Sequence, residues 1–227
     1  MELKKLNDLH EHIQRSLYVV RHGRTAFNID DRYLGALDPP LDEHGLLQAS
    51  ELAKILSGRV DVVLCSPKSR AVQTAEVLAS SCNVPLRVVM EFSERDVGVY
   101  EGLTKEEARL AYPTLWEQDI TRQWDIGPTG GESIKAVVAR VARGLRILQT
   151  CYAGHDIALV AHGFVAKVVR AILTDTTWEE FFKYSLKNGQ VDHHQFSVKS
   201  LTSSPWLHRV ENVVSQTDSG RWRDKSS

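Results

Sequence analysis

The sequence predicts an α/β fold with a mostly parallel central sheet and helices on both faces. Three observations predict it. Short apolar runs of strand length alternate with longer segments whose apolar residues recur at helical spacing. No linker is long or biased enough to divide the 227 residues, and no solenoid repeat occurs. Two of the apolar runs end alike, in His-Gly, as parallel strands feeding one ligand-binding edge would.

The elements follow in order. Leu3, Leu6, Leu9 and Ile13 predict a short amphipathic helical extension over residues 1–16. A single domain is expected over 17–214, and a polar, disordered tail over 215–227. The run Leu17–Val20 is a strand stopped by Arg21-His22-Gly23. Leu46, Ala49, Leu52, Ala53 and Leu56 then make one helical face. Val60–Cys65 reads as a buried strand closed by Ser66-Pro67. A helix over about 68–81 and a strand over 85–90 come next. Residues 104–126 hold a helix over 105–111, then Pro113, Trp116 and Trp124. They resemble an insertion that covers something, with the tryptophans packing rather than stacking on a ligand. After the turn at 127–131, Ile134, Val137, Val138, Val141, Leu145 and Leu148 form a helical stripe. Ile157–Val160 is an apolar strand, followed by His162-Gly163 and a helix through Phe164, Val165, Val168, Val169 and Ile172. Extended segments around 191–198 and 206–210 close the fold.

Composition narrows the function. Hydrophobic residues make up 42% and charged residues 25%, as in a soluble globular protein, and the formal net charge is −1. No nucleic-acid or membrane partner is expected from that balance. The first sixteen residues lack the apolar core of a secretory signal, and no stretch reaches transmembrane length. Cys65, Cys82 and Cys151 are odd in number, have no metal-type spacing and suit a reducing compartment, so a cytoplasmic location is expected.

The repeated strand ending carries the chemistry. His22 and His162 should lie at the same edge of the sheet, each followed by a glycine that lets the backbone turn and approach a ligand. Helix N-termini at that edge favour anions. Arg21 adjoins His22, and Arg70 follows the end of a third strand; guanidinium forks suit phosphate. With Asn28, these residues predict a phosphoryl pocket. Neither a P-loop nor a dinucleotide-binding glycine pattern is present.

The segment VVRHGRTAFN resembles the signature of the histidine phosphatase superfamily, which includes the phosphoglycerate mutases. SPKSRAVQTA, SERDVGVYEG and LVAHG are similar to that family's later motifs and stand in family order, so the resemblance covers about 17–212. It implies a three-layer, phosphoglycerate mutase-like sandwich with a mostly parallel, mixed sheet. His22 would be the nucleophile that takes the phosphoryl group. Arg21, Arg70 and His162 would hold its oxygens with Asn28 assisting, and Glu94 would be the proton donor. On the residues alone, Glu91, Asp96 and Glu101 compete with Glu94 for that role. Arg24 departs from the family pattern and is a candidate for the pocket mouth or for solvent. With Asn28, Thr25 and Gly163 it completes the candidate substrate-binding set.

No metal and no cofactor are expected. Glu132 is expected to cap or charge the first turn of its helix. His193 and His194 are adjacent on a strand, so they face opposite ways and do not share an ion. The short connection from Glu101-Gly102 to Gly131-Glu132-Ser133 resembles the broad-specificity phosphatase branch, whereas the mutases carry a longer insertion. Asn188-Gly189 and the closing WLHRVEN look phosphatase-like too. The expected function is hydrolysis of a small phosphorylated metabolite. A mutase-type isomerase and a phospho-ligand binding module are the alternatives, and a homodimer is left open.

Overall fold

The computed structural model describes residues 15–196, 201 and 203–210. Most of the expected N-terminal extension and all of the expected tail lie outside these residues. Five strands, β1 (Arg15–Arg21), β2 (Val62–Cys65), β3 (Leu86–Val88), β4 (Ile157–Ala161) and β5 (Val191–Phe196), form one sheet in the order β3-β2-β4-β1-β5. The first four are parallel, and β5 runs antiparallel to β1 at the edge. The sheet is therefore mixed and mostly parallel.

Alternation along the strands builds two cores. Leu17 and Val19 of β1, Val62 and Leu64 of β2, and Ile157, Leu159 and Ala161 of β4 point to one face. There they meet α6 (Ile134–Cys151) and α7 (Gly163–Thr174). The intervening Val20, Val63, Cys65, Ala158 and Val160 meet α2 (Glu43–Leu56) and α3 (Ser69–Cys82) on the other face. All of β2 and β4 is buried, which explains why these strands read as unbroken apolar runs. Helix α6 buries its predicted stripe and starts at Ser133, whose side chain accepts from the Ala136 amide. Burying each Val or Leu of that stripe contributes about 1.5–3 kcal/mol. Cys65, Cys82 and Cys151 are free, and burial pushes the Cys65 thiol up to about 12.

A smaller third core forms around Tyr100, Ala108 and Ile120. It joins α4 (Lys105–Ala111), α5 (Pro113–Glu117) and a 3-10 turn at Ile120–Arg122 to Tyr33. Trp116 packs here, whereas Trp124 packs edge-on against Trp178 and Trp206 of the main core. No helix among the described residues is long and apolar enough to cross a membrane.

Three expectations need correction. The segment 206–210 is helical, not extended: Trp206 and Leu207 are buried and Val210 packs behind them, an i, i+1, i+4 face that a short apolar run does not distinguish from a strand. The strand expected over 85–90 keeps only Leu86–Val88 before a 3-10 turn at Met90–Phe92. Arg15 and Ser16, placed in the extension, belong to β1. His22-Gly23 leads into a single helical turn, α1 (Ala26–Ile29), and then to a loop.

Candidate active site

Strand register assembles the site. Arg21 of β1 pairs with Ala161 of β4, so His22 and His162 emerge side by side. Cys65 of β2 pairs with Val160, which brings Ser66 to the same edge. The amides of His22 and Ser66 extend the ladder to the carbonyls of Ala161 and Val160, each at 3.0 Å. The two imidazoles then lie 5.1 Å apart, centre to centre. Gly23 is needed for close approach rather than for turning. A Cβ there would sit 2.3 Å from the carbonyl oxygen of Gly45, and one on Gly45 would sit 2.2 Å from that of Arg24. The chain after His22 lies directly on the first turn of α2.

The tautomer of His22 follows from its contacts. Nδ1 lies 2.7 Å from the Gly23 carbonyl, which can only accept, so Nδ1 carries the proton and Nε2 keeps its lone pair. Burial, followed by the charges of Arg70 and Arg21, holds the His22 imidazole well below its usual range. His162 is lowered likewise, by burial first and then by His22, Arg70 and Arg21. Its Nε2 lies 2.6 Å from Ser66 Oγ, which also accepts from the Lys68 amide.

Two guanidiniums, Arg21 partly buried and Arg70 fully so, frame the histidines. Arg21 donates from Nη1 to the Leu186 carbonyl, and Arg70 donates to the carbonyls of Leu37 and Gly35. Arg70 is fully buried, and Asp38 lies 3.5 Å from its Nη1. The Nε atoms of both arginines and Nδ1 of His162 are buried without a protein partner. Each such orphan costs about 1–3 kcal/mol, and their clustering marks a site that an anion satisfies.

Glu94 is the acidic group of this cluster. Its Oε1 accepts from the Arg95 amide at 2.8 Å and its Oε2 from the Phe164 amide, in the first turn of α7, at 3.3 Å. Burial raises its pKa, against the pull of those amides and of Arg70 and Arg21. The three competing carboxylates are engaged elsewhere or lie apart. Glu101 accepts from the amides of Gly35, Ala36 and Leu37, Asp96 accepts from Gly98, and Glu91 stands within the 3-10 turn at Met90–Phe92.

The remaining candidates divide. The Asn28 Oδ1 accepts from the amide and hydroxyl of Thr25 and from Asn188 Nδ2, which fixes its amide. Thr25 is fully buried, so it holds Asn28 rather than facing the pocket. Gly163 opens α7 beside Arg21, where a Cβ would lie 3.4 Å from the guanidinium carbon. Arg24 lines a cavity of about 520 Å³ with Arg21, Asn28 and Lys187, but its Nε is tied to Asp42 at 2.7 Å. On β5, His194 is buried and His193 is exposed and stacked on Tyr18, so the two do face opposite ways.

Several site residues escaped sequence reasoning. Ser66 orients His162, and Asn188 bonds the His22 carbonyl at 3.1 Å and bridges to Asn28. Arg140 donates to the carbonyls of Glu91, Ser93 and Glu94 while pairing with both carboxylate oxygens of Glu132 at 2.8 Å. Glu132 therefore does not charge its helix; its other bond, from the Asp96 amide, clamps the loop that presents Glu94. Ser66 stands in a quoted motif and could have been found as a strand end. Arg140, an arginine on a helix, gives no such signal. Arg140→Ala should cost about 3 kcal/mol in a denaturant melt, because it leaves Glu132 half-buried and alone. It should also lower kcat by up to about 100-fold with a smaller change in KM, since a displacement of order 1 Å at Glu94 costs that much. Steady-state kinetics on folded protein check this, with Arg140→Lys restoring part of the loss.

A fold of this topology with two imidazoles and two guanidiniums at one sheet edge defines a phosphoryl-handling class. The sequence matches the model of the histidine phosphatase superfamily (branch 1) over residues 17–206. The chain belongs to that superfamily. A 2,3-bisphosphoglycerate-dependent phosphoglycerate mutase from Rhodopseudomonas palustris is 29% identical over 198 residues, covering 84% of this chain and 96% of that protein. The adenosylcobalamin/alpha-ribazole phosphatase of Escherichia coli is 31% identical over 181 residues, 76% of this chain and 86% of that one. Among solved structures, a putative alpha-ribazole-5'-P phosphatase from Escherichia coli aligns with a TM-score of 0.75 at 27% identity, covering 82% of this chain and 93% of the other. A mycobacterial glucosyl-3-phosphoglycerate phosphatase aligns with a TM-score of 0.74 at 26% identity, over 85% and 95%.

Proposed function

We propose that this protein is a metal-independent phosphatase that hydrolyses a small phosphomonoester through a phosphohistidine on His22. The observation that carries the reading is the set of three orphaned buried donors, Arg21 Nε, Arg70 Nε and His162 Nδ1, gathered around a neutral imidazole. In the first step His22 Nε2 forms the N–P bond as the P–O ester bond breaks, and protonated Glu94 gives its proton to the leaving oxygen. In the second, water attacks phosphorus, the N–P bond breaks, and the water's proton passes to the Glu94 carboxylate. Inorganic phosphate leaves. The arginines stabilise the charge of the transferring group, a task a metal ion performs in other enzymes. Asn28, held by Thr25 and Asn188, adds a donor, and His162 gains one at Nδ1 when Ser66 donates to its Nε2.

Hydrolysis is favoured over isomerisation by the phosphatases among the similar structures and by the short connection between Glu101 and Gly131. The mutase reading is supported by the sequence relatives named as phosphoglycerate mutases. Phosphate release in excess EDTA across a panel of phosphomonoesters separates the two. Turnover without any bisphosphorylated primer is expected; phosphoglycerate isomerisation that depends on the primer, with no release of phosphate, would reverse the choice.

A further inference from the structure

A chamber of about 250 Å³ has Glu94 in its wall. Its other walls are unlike those of a sugar or glycerate pocket. Phe164, Phe182, Tyr33, Leu34 and Val97 line it together with Arg95, Thr121 and Arg122, and its surface is mostly apolar. Both phenyl rings are backed by fixed partners. Phe164 packs edge-on against Phe181 at 5.7 Å, with the Arg95 guanidinium 4.8 Å over its face. Phe182 packs against Phe181 and Trp178, each at 5.0 Å, with Arg122 4.9 Å over it. Arg95 is buried and donates from Nε and Nη1 to the carbonyls of Glu132 and Thr121, while its Nη2 is buried without a protein partner.

The geometry points to a leaving group that carries an aromatic ring, seated between Phe164, Phe182 and Tyr33 while Glu94 protonates its ester oxygen. This rests on the phosphatase reading. The leaving oxygen must lie at Glu94, and the chamber is the cavity whose wall includes Glu94. A polyhydroxylated alcohol placed against Phe164, Phe182, Leu34 and Val97 would lose hydrogen bonds to water that these side chains do not return. A ring gains apolar burial and stacking or edge contacts instead. An apolar cavity of about 150 Å³ is enough for benzene, so one ring with a short linker fits.

The test compares 3-phenylpropyl phosphate with propyl phosphate, whose alcohols leave with nearly equal difficulty and differ only in the ring. Wild type should favour the ring ester in kcat/KM by at least about tenfold. Phe182→Ala should lower that ratio several-fold. In parallel, the affinities of wild type for 3-phenylpropylphosphonate and propylphosphonate are measured by calorimetry, which needs no turnover. If neither ester is hydrolysed the phosphatase reading falls, and the phosphonate pair still decides the chamber. Equal affinities for the two phosphonates, or a preference for glycerol 3-phosphate over the ring ester, would overturn the inference.

Discussion

Replacing His22 with alanine should lower phosphomonoester hydrolysis by about 10⁴-fold or more, with the fold retained. The expectation follows from where the lone pair is. Nδ1 is committed to the Gly23 carbonyl, Nε2 is unprotonated, and burial with two neighbouring guanidiniums keeps the ring neutral. His162 cannot take over, because its Nε2 is engaged with Ser66 and its Nδ1 serves as a donor in the proposed scheme. The loss is read as phosphate release under saturating ester, with circular dichroism confirming native secondary structure. Residual turnover within tenfold of wild type would mean that another group accepts the phosphoryl.

Glu94→Gln should show a loss that depends on the leaving group. For alkyl phosphates, whose alkoxides need a proton, kcat should fall by about 10²–10⁴-fold. For 4-nitrophenyl phosphate the fall in phosphoenzyme formation should be much smaller, because nitrophenolate departs unprotonated. The pH profile carries the same signature. Burial raises the Glu94 pKa and lowers that of His22, so the form with an acidic Glu94 and a neutral His22 spans a widened window. Formation of the phosphoenzyme should fall on the alkaline side as Glu94 ionises. It should fall on the acid side only well below the usual imidazole range. Glu94→Gln should lose the alkaline limb and keep the acid one. Stability gives a check with its own sign. A carboxyl raised in the folded state binds more protons folded than unfolded, so its stabilising contribution is lost as pH rises through the raised pKa. At neutral pH the glutamine variant should therefore melt at or above the wild-type temperature.

Much of this architecture was legible because two periodicities coincide with two strand endings. The runs at Leu17 and Ile157 are apolar throughout because both faces of their strands are covered, and each ends in His-Gly at the edge where the register aligns Arg21 with Ala161. Arg70 was legible only through the motif around it; its complete burial comes from the 35–38 loop, which no local pattern specifies. The helix α8 (Trp178–Lys183) was missed although Thr177 and Glu180 form a capping box, a signal present in the sequence. The short helix over 205–210 was read as a strand because few residues cannot separate the two periods. The clamp of Glu132 and Arg140 on the Glu94 loop joins residues through tertiary contact alone, so spacing along the chain could not show it.

The most direct test of the account is to capture the covalent intermediate. Wild type is mixed rapidly with excess phosphomonoester in EDTA, quenched in alkali, and its peptides are mapped by mass spectrometry. A single acid-labile phosphoryl group on His22, formed at least as fast as phosphate is released, is the predicted result. Turnover with no such adduct, or an adduct on a residue other than His22, would contradict it.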